Sequence, residues 1–233
     1  MRYCPIPLKR YRSMSNILTI GYITEGTTDV RFLDNIIERT FSEAAMACKG
    51  VIEVYAPQHI PTQKKTFKEK VLEAAEAADQ QGLMVLCVHT DADDSSDAKA
   101  RAERIRPSFE AVLQSGHDNI CKNLAAIVPV QMTEAWLLAD EAVLLNAMIS
   151  SKSLRELGIE HTPESYNDPK AKIIEAIRSV HQHKSKRHRQ QVSISDLYGP
   201  VGQQCDLEKL RRLSSFQKFE EEVRQALQKL NYL

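Results

Sequence analysis

Two acidic turns carry the residues best suited to chemistry. Glu25 stands in Glu-Gly-Thr-Thr-Asp, directly after the apolar run ILTIGYIT, and Asp91 and Asp93 stand in Asp-Ala-Asp-Asp, directly after LMVLCVHT. Side chains two apart on an extended segment point the same way, so Asp91 and Asp93 are expected to converge on one point. Carboxylate oxygens with no His or Cys cluster beside them suit Mg²⁺ or Mn²⁺ rather than zinc. Gly26 lets the chain turn sharply beside its acid, and a helix after it would aim its N-terminus at a phosphate. Either turn alone reads more readily as a solvated cap or structural turn than as a site. Their joint placement, each just past an apolar strand, points to a shared site.

The surrounding pattern supplies the elements that must position these acids. Residues 17–23, 51–55, 83–89 and 124–130 read as strands. Between them, helices are expected from Thr27 or Thr28 as N-cap, over 64–80, and over 97–114 with a break or kink at Pro107. After the fourth strand, Thr133 is placed to cap a helix from Glu134 to about Ala147. Regular strand–helix alternation predicts a parallel sheet with helices on both faces, an α/β class of fold. Beyond residue 150 strand signals fade, and helices are expected near 168–181 and 206–231. The chain therefore divides into a tail (1–16), an α/β domain (17–150) and a helical extension (151–233) that carries a basic loop at 181–191.

Composition narrows the class. With 31 basic and 31 acidic residues the net charge is zero, and 42% of the chain is hydrophobic. These values exclude disordered and collagenous readings and argue against a uniformly basic nucleic-acid coat. The cysteines (Cys4, Cys48, Cys87, Cys121, Cys205) form no CxxC pair, so neither a disulfide framework nor a zinc knuckle is expected. No apolar run is long enough to cross a bilayer, and the N-terminus lacks the apolar stretch of a secretory signal, which reads as a cytoplasmic protein with no membrane association. Met14 is an alternative start.

At these residues the chain resembles a known domain. GYITEGTTDVRFLDNII followed by VLCVHTDADD is similar to a TOPRIM domain, the module shared by topoisomerases, bacterial primases and OLD-family nucleases. QMTEAWLLAD (131–140), NDPKAKIIEAI (167–177) and LRRLSSFQKFEEEVRQAL (210–227) extend the likeness to a small bacterial TOPRIM-like family of uncharacterised function. The resemblance implies a Rossmann-like fold, with Glu25 in the place of the TOPRIM glutamate and Asp91 and Asp93 in that of the metal-binding pair. It implies a Mg²⁺-dependent nuclease, with Mn²⁺ as a substitute, acting on DNA or RNA. It also implies an effector subunit in anti-phage defence controlled by an ABC- or AAA-type ATPase partner. An ion held by the aspartates would neutralise a phosphodiester's developing charge, and Glu25 would bind metal or move a proton.

Further candidates surround this core. Glu134 can add a ligand to a second metal, or serve only as a first-turn acid favoured by the helix dipole. Asp29 falls in a first helical turn, and Asp94 and Asp97 read as supporting or solvated acids. Trp136 reads as core. Lys170 is placed to reach a phosphate or to face solvent. Lys184, Lys186, Arg187 and Arg189, with no acid among them, read as a phosphate-gripping loop or an exposed one. Topoisomerase and primase activities are disfavoured by the lack of strand-passage domains and of a zinc ribbon. A catalytically silent TOPRIM-like binding or regulatory subunit is one alternative. An Asp-x-Asp phosphohydrolase of the haloacid-dehalogenase type is another, although its nucleophile usually follows the first strand. The amphipathic C-terminal helix can complete the core or form a homo-oligomer.

Overall fold

The computed structural model describes residues 16–182 and 192–233. Residues 1–15, and with them Met14 and the N-terminal cations, lie outside it, as do Lys184, Lys186, Arg187 and Arg189. The strands are β1 (Asn16–Leu18), β2 (Ile20–Ile23), β3 (Ile52–Val54), β4 (Gln58–His59), β5 (Val85–His89) and β6 (Leu124–Ile127). The main helices are α1 (Thr27–Ala45), α2 (Phe67–Gln80), α3 (Ala98–Ala100), α4 (Arg106–Gln114), α5 (Glu134–Leu137) and α6 (Glu141–Ala147). They continue as α7 (Pro169–His181), α8 (Tyr198–Gln204), α9 (Leu207–Leu210) and α10 (Ser214–Lys229).

The expected α/β fold is what forms. A four-stranded sheet runs β4-β2-β5-β6 and a two-stranded one pairs β1 with β3, every pairing parallel. The predicted strand 17–23 changes partners at Thr19, whose carbonyl accepts from Met84 and Val85. Alternation along the strands sorts side chains into two cores. Ile20, Tyr22, Val85, Cys87, Ala125 and Ile127 face α1 and the C-terminal helices. Ile23, Leu86, Val88, Leu124 and Ala126 face α2 and α4.

Several boundaries differ from the sequence reading for identifiable reasons. Helix α1 is capped at Gly26 rather than at Thr27 or Thr28, because the Asp29 carboxylate accepts the Gly26 N–H at 3.1 Å. Pro107 does not end its helix. The turn before it, Arg101–Ile105, widens to a π-helix and the chain continues as α4, a geometry that accommodates the missing N–H without a break. The expected 134–147 helix is two helices, the second starting where the Asp140 side chain caps Val143. The expected 206–231 helix is likewise split at Arg211–Leu213. There, Glu164 accepts from the backbone N–H groups of Ser214 (3.0 Å) and Ser215 (2.9 Å) and starts α10 afresh.

The described residues of 151–233 are largely helical and share one core with the first half of the chain. Helix α10 packs on β6 and α1, burying Phe216, Phe219, Val223 and Leu227, and α8 packs on α1. The α8–α1 approach is close enough that a Cβ on Gly202 would stand 2.8 Å from the Phe32 carbonyl oxygen and 3.1 Å from its Cα. Gly202→Ala is therefore expected to cost about 1–3 kcal/mol. Thermal unfolding of the variant checks it; an unchanged melting temperature would mean that α8 shifts freely on α1.

Candidate functional site

The site forms beyond the carboxyl ends of β2, β5 and β6, where parallel α/β sheets place their crevices. Hydrogen bonding continues past the sheet and zips the two site loops together. Ala92 N donates to the Pro129 carbonyl (3.0 Å), Asp93 N to Gln131 (2.8 Å) and Gln131 N to Asp94 (3.0 Å). Asp93 and Gln131 both adopt left-handed backbone, with φ of 52° and 59°, a conformation that costs energy outside glycine and is held here by these bonds.

That backbone decides where the acids point. Asp91 turns inward, accepting from Thr133 N (2.9 Å) and Thr133 Oγ1 (3.1 Å) and standing 3.3 Å from His89 Nε2. Asp93 turns outward, its carboxylate 3.3 Å from Arg104 Nη2. The extended geometry that would have made Asp91 and Asp93 converge is broken at Asp93 itself. Thr133 does not use its side chain as a helix cap; it binds Asp91 and His89 instead. Glu25 accepts from the Thr90 hydroxyl and from Arg104 Nη1 (3.2 Å). Arg104 thus joins Glu25 to Asp93, and it is itself anchored on the carbonyl oxygens of Asp91 (2.5 Å) and Ala92 (3.3 Å).

Glu134 is buried, and its Oε1 accepts from Tyr198 Oη (2.5 Å) and Lys170 Nζ (3.0 Å). Lys170 therefore grips a carboxylate while about half of its side chain stays exposed to solvent. Asp29 is buried as well, at the N-terminus of α1. Asp97 is neither solvated nor at the site; it is buried under Arg101 and Lys218.

The charges act on one another. Burial raises the Asp29 carboxyl, and the Asp91 and Glu134 carboxylates raise it further, against the pull of His89. Burial would likewise raise Asp91, but the bonds from His89 and Thr133 outweigh it and hold Asp91 below the usual carboxylate range. Burial lowers His89, yet Asp91, Asp29 and Glu25 carry it above its ordinary value. The hydrogen bond to Glu134 raises Lys170. Burial and then Glu134 raise the Tyr198 phenol.

Residues 24–224 match a protein family described as a domain of unknown function (DUF4276). The chain belongs to that family. No curated protein and no solved structure matches it. The DUF4276 match begins one residue before Glu25 and runs to within α10, so it takes in Glu25, Asp91, Asp93, Glu134 and Lys170 together.

In this DUF4276 chain the sequence reading missed His89, Arg104 and Tyr198. His89 was legible: the alternation applied to Asp91 and Asp93 also puts His89 and Asp91 on one side of the strand. Arg104 and Tyr198 reach their partners across 79 and 64 positions, and no local spacing marks them.

The donor set suits a hard divalent cation in kind, being carboxylate oxygens. As the side chains stand, no three His, Cys, Asp or Glu among the described residues are grouped to hold an ion. Arg104 and Lys170 supply the positive charge. Among the described residues no helix is long and apolar enough to cross a membrane.

Proposed function

We propose that the protein is a metal-dependent nuclease of TOPRIM type, hydrolysing phosphodiester bonds of DNA or RNA. The observation that carries this reading is the placement of Glu25, Asp91 and Glu134 in the segments that follow the parallel strands β2, β5 and β6, with the buried His89 in reach of both Asp91 and Thr133. Glu25 and Asp91 would hold Mg²⁺ or Mn²⁺, with Glu134 available to a second ion. A bound ion would supply Lewis-acid charge neutralisation and an activated water.

The chain's own groups do the rest. His89 and Thr133 orient the Asp91 carboxylate. Arg104, released from Glu25, keeps its hold on the Asp91 and Ala92 carbonyls and presents its remaining N–H groups to a phosphate. Lys170 and Tyr198 both bond Glu134 Oε1 and fix the position of that carboxylate. The effector role in anti-phage defence under an ATPase partner rests on the sequence resemblance alone.

A second reading, a TOPRIM-like binding or regulatory subunit without turnover, is favoured by one observation: Arg104 and Lys170 already neutralise the carboxylates an ion would need. A nuclease assay with Mg²⁺ and with Mn²⁺, alone and with the partner ATPase, separates the two. Glu25→Ala and Asp91→Ala should each lower cleavage about a hundredfold. Cleavage that survives both substitutions would remove this site from the chemistry. Inertness of the wild type under every condition would establish the binding-subunit reading.

A further inference from the structure

Beside Glu25 lies a cavity of about 370 Å³, walled by residues that include Glu25, Lys65, Phe67, Lys70, His89 and Arg104. Its volume falls in the range of sites for small molecules, roughly 300–1,000 Å³. Phe67 and Lys70 are the first residue of α2 and its neighbour one turn on, so they share a face of that helix. Lys65 precedes the capping Thr66. Phe67 and Lys70 are half-buried and Lys65 is exposed. Among the described residues neither Lys65 nor Lys70 makes an ion pair, although Lys170, Arg101, Arg104 and Arg211 all do. His89 is 1% exposed, and its Nδ1 has no hydrogen-bond partner.

An aromatic ring, two unpaired cations and a buried histidine with an unsatisfied nitrogen, all lining one cavity, match the parts of a nucleotide. The ring offers a stacking surface, the cations bind phosphate without regard to sequence, and the nitrogen can be satisfied by a polar atom that enters. A base inside a duplex is already stacked on both faces, so Phe67 can meet only an unstacked one. We propose that this cavity binds one unstacked nucleotide of a single-stranded nucleic acid, its base against Phe67 and its phosphate between Lys65 and Lys70. That narrows the substrate to single-stranded DNA or RNA, or to frayed ends. It rests on the reading of Glu25 as part of a phosphodiester site, but binding is measurable apart from turnover.

The experiment is fluorescence anisotropy of the full chain with labelled oligothymidylate and oligouridylate, and with the same DNA strand annealed to its complement, in EDTA. Single strands should bind more tightly than the duplex. Phe67→Leu should weaken single-strand binding about tenfold. Lys65→Gln with Lys70→Gln should weaken it too, and should flatten the salt dependence by about 0.7 in log–log slope, for the one phosphate the two lysines hold. Melting temperatures of the variants identify any that fail to fold; the lysine pair, lying at the surface, is the safer of the two. Equal affinity for duplex and single strand overturns the proposal, as does unchanged affinity and salt slope in the lysine variant. Loss of cleavage in Glu25→Ala with those negative results would leave the nuclease reading standing. Tight single-strand binding without any cleavage would do the reverse.

Discussion

Trp136→Ala is expected to destabilise the protein by about 3–5 kcal/mol, the usual cost of emptying a buried aromatic site. In a chain of this size that lowers the melting temperature by roughly 6–20 °C. Trp136 is fully buried, its ring edge-on to Phe216 at 5.2 Å and tilted against Phe219 at 6.2 Å. Its indole N–H donates to Ser215 Oγ at 2.7 Å, and Ser215 Oγ in turn donates to Glu164. The substitution removes the ring that joins α5 to α10 and leaves a hole between them. Trp136→Phe keeps most of the apolar contact and loses the N–H bond, so its expected cost is smaller, about 1–2 kcal/mol. A melting temperature within about 2 °C of wild type would show that α5 is held by something other than this ring.

Asp97→Ala is the second large effect, at about 3 kcal/mol. Removing one partner of a buried ion pair costs roughly 3–5 kcal/mol, and the half-exposed Lys218 places this site at the lower edge. Asp97 receives Arg101 Nε at 2.6 Å on one oxygen and Lys218 on the other, linking α3 to α10. Burial raises the Asp97 carboxyl, but Lys218 and Arg101 more than offset this and hold it below the ordinary range. A carboxyl depressed in the folded state stabilises it at pH above the unfolded value, near 3.9, and loses that contribution as pH falls through the folded value. The gap in stability between wild type and Asp97→Ala should thus be constant above about pH 5 and shrink below about pH 4. Thermal unfolding across that range measures it. A gap that is flat through pH 3 would mean that Asp97 acts by shape rather than by charge.

Much of this architecture was legible from the chain because it is written locally. The runs at 83–89 and 124–130 are apolar on both faces, which only a covered parallel strand requires. The apolar stripes of α1 and α10 fall at helical spacing and are buried as expected. Other features were set by partners far along the chain. Helix α8 contains Gly199, Pro200 and Gly202, a composition that argues against helix, and close packing on Phe32 overrides it. The break before α10 is made by Glu164, about 50 positions upstream. At the site the acids were found from their position after strands. Their directions were not, because a single left-handed residue at Asp93 turns the pair apart.

The distance along the chain between the acids and the groups that satisfy them bears on how the protein is made. Glu134 awaits Tyr198, 64 positions later, Trp136 awaits Ser215, 79 later, and Arg101 awaits Glu222, 121 later. A ribosome adding about 5–20 residues per second takes roughly 4–16 seconds to cover the middle interval. For that time Leu124–Ile127 is synthesised while the helix that covers one of its faces is not. Bonds of such long sequence separation also slow the search for the native topology. The nascent chain therefore passes through a stage with its carboxylates exposed and an apolar sheet face bare, and it is then that association with the wrong surface competes most strongly with folding.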